Sequence, residues 1–198
     1  MSRLRDLWKD TAGATMVEAA LVFPLMLVLT FGLVEFGQAL WQYNAAEKAT
    51  AEAARFVATR GPVVTFATDR DCFVTTSAVA GTLCSNVAGA TGWKGTWSGK
   101  CAGSGAGATC QQAMMDQVVA RVRAIAPFVQ AENIQVELSG SNFGFVGRGR
   151  PVPNVTVRLV NVTYNFVAMD KLLGIGPIAM PGFDATSVAE DQQEGGLG

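Results

Sequence analysis

Glu18 is the residue whose chemistry is most constrained by its neighbours. It closes the stretch Gly13-Ala14-Thr15-Met16-Val17-Glu18, and residues 19–34 after it carry no charge. A carboxylate at the centre of a bilayer costs roughly 2.5–3.5 kcal/mol on insertion scales, and less towards the interface. Two opposite charges in apolar surroundings each suffer desolvation, and pairing recovers much of that cost. The chemistry to look for at Glu18 is therefore ion pairing with a cation.

Other chemistry is sparse. The chain has no histidine, which removes His general bases, His-based triads and the commonest metal ligand. The net charge is −1 without a run of Lys or Arg, unlike the clustered basic footprint of a nucleic-acid binder. Gly95-Thr96-Trp97-Ser98-Gly99-Lys100 has a superficial likeness to a phosphate loop but lacks its spacing, because Cys101 follows the lysine. Asp69 and Asp71 fall short of the six to eight oxygens that calcium takes, and two carboxylates in a loop are ordinarily just solvated. Asn154-Val155-Thr156 and Asn161-Val162-Thr163 match glycosylation sequons but fall in strand-like segments and read as chance. No catalytic residue, cofactor or metal site is expected.

The four cysteines, Cys72, Cys84, Cys101 and Cys110, lie in one Gly-, Ser- and Thr-rich segment and match no C-x-x-C pattern. An even number in a loop-rich region points to two disulfides and an oxidising compartment. Three connectivities are possible; Cys72–Cys84 with Cys101–Cys110 is preferred because each closes a short local loop.

These groups must be positioned by a long helix. As a helix, residues 13–34 span about 33 Å, enough for a hydrocarbon core of ~30 Å. Arg3, Arg5 and Lys9 precede the run and Lys48 is the first basic residue after it, so the positive-inside bias puts the N-terminus in the cytoplasm. A cleaved secretory signal and a plain uncleaved signal anchor are the competing readings. The first fits poorly, because the run is longer than a signal core and is followed by a weak cleavage sequence, Glu35-Phe36-Gly37-Gln38-Ala39. Pro24 is expected to kink the membrane helix, which tolerates proline. Residues 36–60 continue it amphipathically, with Ala46, Ala49, Ala53, Phe56 and Val57 on one stripe and Lys48, Glu52 and Arg55 opposite. Gly61-Pro62 stops it. Trp41 and Tyr43 suit an interfacial belt or ordinary packing.

The order Gly13, Ala14-Thr15-Met16-Val17-Glu18-Ala19-Ala20, Leu21-Val22-Phe23-Pro24-Leu25, then Glu35-Phe36-Gly37-Gln38-Ala39-Leu40-Trp41 and Ala51-Glu52-Ala53-Ala54-Arg55 resembles the TadE-like pseudopilins of the bacterial tight-adherence (Flp) pilus system. The likeness covers roughly the first 60 residues. It implies cutting between Gly13 and Ala14 by a prepilin peptidase, loss of a cytoplasmic leader, and a new cationic amine at Ala14. In pilin-like assemblies the residue matching Glu18 neutralises such an amine, commonly a neighbour's. The implied partners are other pilins and pseudopilins, the peptidase, the inner-membrane assembly platform and the lipid bilayer, without nucleic acid. The implied location is the inner membrane, single-pass, with the head extracytoplasmic, and the extracellular pilus after assembly. Ala19 stands where major pilins of the system have an aromatic residue, and the chain is much longer than they are. Both departures favour a minor pseudopilin.

The expected organisation is a leader at 1–13, a transmembrane and pilin-like helix at 14–60, a head at 61–190 and a flexible acidic tail at 191–198. Within the head, 61–110 reads as Gly- and Cys-rich loops in which Trp93 and Trp97 form a satellite core, the preferred reading, or an exposed contact surface. Residues 111–126 read as a helix lined by Met114, Val118, Val122 and Ile125, closed by Pro127. Ile134, Val136 and Leu138 alternate with polar residues as in a half-buried strand. Val155, Val157 and Leu159 do likewise, after which the apolar phase slips to Val160, Val162, Tyr164 and Phe166, as at a β-bulge. Residues 183–189 add a last strand. The fold class is α+β: a long helix and a small head of one further helix on an antiparallel sheet. A structural, non-enzymatic assembly role leads; a membrane-anchored extracytoplasmic binding module is the alternative.

Overall fold

In a computed structural model of the chain, the described residues are 13–61, 63–66, 79–83, 86–87, 94–101, 103–104, 108–141, 143–146 and 152–189. Cys72, Cys84, Asp69, Asp71, Trp93, the leader and the acidic tail lie outside them. The first element is α1, Ala14–Arg60, an uninterrupted helix of 47 residues with Pro24 inside it. At 1.5 Å per residue it is about 70 Å long. Two compact units make up the chain: Met1–Trp41 with Thr163–Ile178, and Gln42–Val162 with Ala179–Gly198. The helix contributes to both.

In the second unit, α1 presents the expected small-residue stripe. Ala46, Ala49, Ala53 and Val57 are fully buried, and Ala54 and Ala58 widen the stripe; Phe56 packs at its margin. Small side chains at this spacing let other elements approach the helix backbone closely. Thr50 is buried on the same face, and its hydroxyl donates to the Ala46 carbonyl oxygen at 2.7 Å. Further elements are β1 (Val64–Phe66), β2 (Lys94–Ser98), β3 (Gly103–Ser104), β4 (Ala108–Cys110), α2 (Gln112–Ile125), β5 (Ile134–Gly140), β6 (Pro153–Leu159), β7 (Thr163–Tyr164), α3 (Ala168–Leu173), β8 (Ile178–Ala179) and β9 (Phe183–Val188). The main sheet has the order β3-β2-β5-β6-β9, with every neighbouring pair antiparallel. Ile134, Val136 and Leu138 of β5 and Val155, Val157 and Leu159 of β6 share one core with α1 and with Met115, Val118 and Val122 of α2. Met115, rather than Met114, is the methionine fully buried there. On the surface, Arg121 of α2 reaches Glu52 of α1 at 2.7 Å; a pair this exposed adds little.

Three expectations change. The segment 61–110 supplies β1 to β4 as well as loops. Trp97, 1% exposed, belongs to the main core through β2 rather than to a satellite. Propensity hid β2 because its sequence, Lys-Gly-Thr-Trp-Ser, contains glycine. That glycine has a steric cause: a Cβ on Gly95 would run into the Trp97 ring, and one on Gly99 into the Ala131 carbonyl. The phosphate-loop-like stretch is thus a strand and turn shaped by close packing. Of the cysteines, Cys101 and Cys110 are joined as a disulfide, Cα to Cα 5.6 Å. It closes onto the β1–β4 ladder, where Cys110 faces Val64.

The third change concerns residues 159–166. The phase slip is a strand end rather than a bulge. β6 stops at Leu159, and Asn161 takes a left-handed conformation (φ 55°), which asparagine tolerates. The Asn133 side-chain amide donates to the carbonyl oxygens of Val160 at 2.9 Å and Asn161 at 3.2 Å and fixes this corner. The chain then leaves as β7, which belongs to a separate two-stranded sheet with β8. It returns at Met180, whose N–H donates to the Val162 carbonyl oxygen at 2.8 Å.

Gly95→Ala is expected to destabilise the head by about 1–3 kcal/mol, the cost of overpacking a filled core. Denaturant unfolding of the full chain in detergent, followed by Trp fluorescence, measures it; an unchanged midpoint would contradict the close contact with Trp97.

Candidate functional site

Helix α1 begins at Ala14, immediately after Gly13. A Cβ built on Gly13 would meet nothing within 4 Å. Ala14 and Glu18 are exposed and lie one helical turn apart, about 6 Å along the axis. No described residue forms an ion pair with Glu18. In the uncut chain the Ala14 nitrogen is an amide without charge, so the helix itself supplies no cation for this carboxylate.

Over residues 16–34 the helix exposes most of its large apolar side chains. Met16, Leu21, Phe23, Leu25, Leu29 and Leu33 are each more than half exposed. It is the one helix among the described residues long and apolar enough to cross a membrane, and its most apolar window is not buried by protein at all. Its polar groups are satisfied from within: the Thr30 hydroxyl donates to the Met26 carbonyl oxygen at 2.8 Å and lies 3.0 Å from that of Leu27. Such back-bonding suits a helix surrounded by lipid, where unpaired polar groups are costly.

Sequence reasoning missed a second carboxylate. Glu35 is the first charge after the uncharged run, yet it is only 7% exposed. Its Oε1 accepts the backbone N–H of Val167 at 2.7 Å and of Ala168 at 2.6 Å, and its Oε2 accepts that of Met169 at 2.9 Å. These are the orphan donors at the start of α3. Val167 occupies the N-cap position and makes no side-chain cap bond; valine has no oxygen with which to make one. Glu35 supplies the missing acceptor from 132 residues away. The Tyr164 hydroxyl donates to the Glu35 carbonyl oxygen at 2.9 Å, and the Tyr164 ring meets Phe166 edge-on at 5.0 Å. Burial pushes the Tyr164 phenol above its ordinary value, and the Glu35 carboxylate adds to the shift. The phenol therefore stays protonated and able to donate. At the other end of α3, Gly174 adopts φ 68° and its N–H donates to the Asp170 carbonyl oxygen at 2.8 Å, the left-handed stop that glycine makes readily.

Packing accompanies these bonds. A Cβ on Gly32 would lie 3.4 Å from the Met169 methyl carbon, an ordinary packing distance, so α3 rests against α1 close to Glu35. In the sequence, a lone glutamate closing an apolar run and a glycine three positions before it were the available signals. The donors they serve were invisible, because they are backbone groups.

Residues 13–55 match the family model described as TadE-like protein. That span is the TadE-like part of the chain. It contains Gly13, Ala14 and Glu18, and also Gly32 and Glu35. No curated protein matches the chain. No solved structure matches it. The match lies within α1 and the residue before it, and the head is outside it.

Glu35→Ala removes the shared acceptor. Amide exchange at Val167, Ala168 and Met169 is expected to accelerate on the order of tenfold or more as the turn opens locally. The β5 and β6 amides should keep their protection. Unchanged exchange at 167–169 would show that Glu35 does not hold the turn.

Proposed function

We propose that this chain is a minor pseudopilin that takes part in assembling a tight-adherence pilus, at initiation, at the tip or in a membrane priming complex. A prepilin peptidase cuts it after Gly13. The observation that carries the reading is the juxtaposition in α1: a TadE-like stretch in which Gly13, Ala14 and Glu18 are exposed at the head of an apolar helix. Cutting frees the Ala14 amine as a cation one turn from Glu18. A charge pair in low dielectric is strong where water would leave it weak, and an unpaired member is expensive. The pair therefore selects subunits whose helices are already side by side. Whether the amine is the subunit's own or its neighbour's, the cationic half of the pair exists only after processing.

The rest of the reading follows from helix α1. Its exposed apolar surface is covered by lipid before assembly and by other pilins and pseudopilins after it. The N-terminus faces the cytoplasm, where the peptidase and the assembly platform act at the inner membrane, and the head lies outside. The oxidising side of the membrane suits the disulfides, with Cys72–Cys84 proposed as the companion of Cys101–Cys110.

Intact-mass analysis of the protein purified from its own membrane should find a chain beginning at Ala14. An intact Met1 in cells containing the peptidase overturns the reading. Glu18→Ala should leave the protein in the membrane but abolish its association with partner pilins, read by co-purification and by pilus counts. Normal pili with this variant would remove the charge-pairing role.

A further inference from the structure

The excursion Thr163–Ile178 exposes several large apolar side chains. Residues 172–179, Leu-Leu-Gly-Ile-Gly-Pro-Ile-Ala, contain no charge and are all exposed. Leu172, Leu173, Ile175 and Ile178 are the large side chains among them, and Val167 at the start of α3 is 74% exposed. Contiguous apolar surface of this kind marks an interaction site. The two charges of α3, Asp170 and Lys171, are exposed beside it, which makes the segment amphipathic. Such a composition suits the plane between lipid headgroups and acyl chains.

Its attachment specifies what covers it. The excursion and α1 up to Trp41 form one compact unit. Glu35 holds the N–H groups of residues 167–169, and Met169 lies against Gly32. Gly32 is inside the uncharged run, about 4.5 Å along the helix axis from Glu35. The excursion is therefore fastened to the last turn of the apolar stretch, beside Phe31, Leu33 and Val34, which are themselves exposed. Its apolar surface continues that of the helix at the edge where the helix leaves lipid. The fastening also explains why an acidic residue can stand there: its carboxylate faces backbone donors instead of acyl chains.

We propose that residues 172–179 are a second membrane contact, entering the lipid at the headgroup–acyl boundary beside the outer end of the α1 span. The proposal rests on the reading that α1 crosses a bilayer. The excursion then fixes how deep the helix sits.

Site-specific photocrosslinking tests it. Benzoylphenylalanine replaces Leu173, Leu25 in the middle of α1, or Val79, an exposed apolar residue of the other unit. Each full-length protein is reconstituted in vesicles of phosphatidylethanolamine and phosphatidylglycerol, illuminated and analysed by mass spectrometry. Lipid adducts are expected at 25 and 173 and none at 79. Lipid at 25 without lipid at 173 overturns the proposal and leaves the span standing. Crosslinking of 173 to a second copy of the chain overturns it in favour of a subunit contact. Absence of lipid at both positions overturns the span as well. Adducts at 79 equal to those at 173 overturn it by showing indiscriminate labelling. Should the Leu173 replacement disturb α3, the same substitution at Ile178 gives the same outcomes from the other end of the segment.

Discussion

Everything else in this molecule depends on one helix whose two halves suit two different surroundings. Over residues 14–34 the side chains of α1 are apolar on nearly all sides, and no element among the described residues buries the most apolar window. Over residues 46–58 the same helix is buried along a stripe of alanines and valines. A helix satisfies its backbone internally, so it can pass from hydrocarbon to a protein core without a break. Side chains alone mark where one environment ends. Glu18 and Glu35 stand at the two ends of the uncharged stretch, and each faces the problem of a charge beside lipid.

The two carboxylates meet that problem differently. Glu35 is supplied within the chain: three backbone N–H groups converge on it, and the turn that offers them has no cap of its own. Charge-assisted bonds of this sort are roughly twice as strong as neutral ones. Glu18 receives no such partner among the described residues. One carboxylate is consumed within the chain, while the other is the one we propose for pairing between subunits. The exposed Gly13 and Ala14 beside Glu18 fit that division.

Much of the architecture was legible because it rests on periodicity. The alanine stripe of α1, the alternation in β5 and the helix before Pro127 are local patterns with a single structural solution. The alternation ending at Leu159 was legible too, although its slip was misjudged. A bulge and a strand end both shift the phase; the left-handed Asn161 and its clasp by Asn133 decide between them. β2 was hidden for the opposite reason. Gly95 and Gly99 read as loop residues, yet they are glycines because a ring and a carbonyl pass too close for a Cβ. Within the candidate site, Glu18 could be singled out from its place at the head of the uncharged run, Gly13 and Ala14 only through the family resemblance, and Glu35 by neither.

The sequence by itself determined the apolar length of the helix, its one internal proline, the places where charge is absent, and the positions of the two carboxylates that bound the run. These follow from side-chain type and order, which need no partner to be read. Only the tertiary structure decided that Glu35 closes a turn 132 residues further on and that Met169 comes to lie against Gly32, while Gly95 leaves room for the Trp97 ring. It also showed that an uncharged run near the C-terminus stays exposed. The physical reason is that backbone donors carry no sequence signature, and a steric vacancy is defined by what comes to fill it.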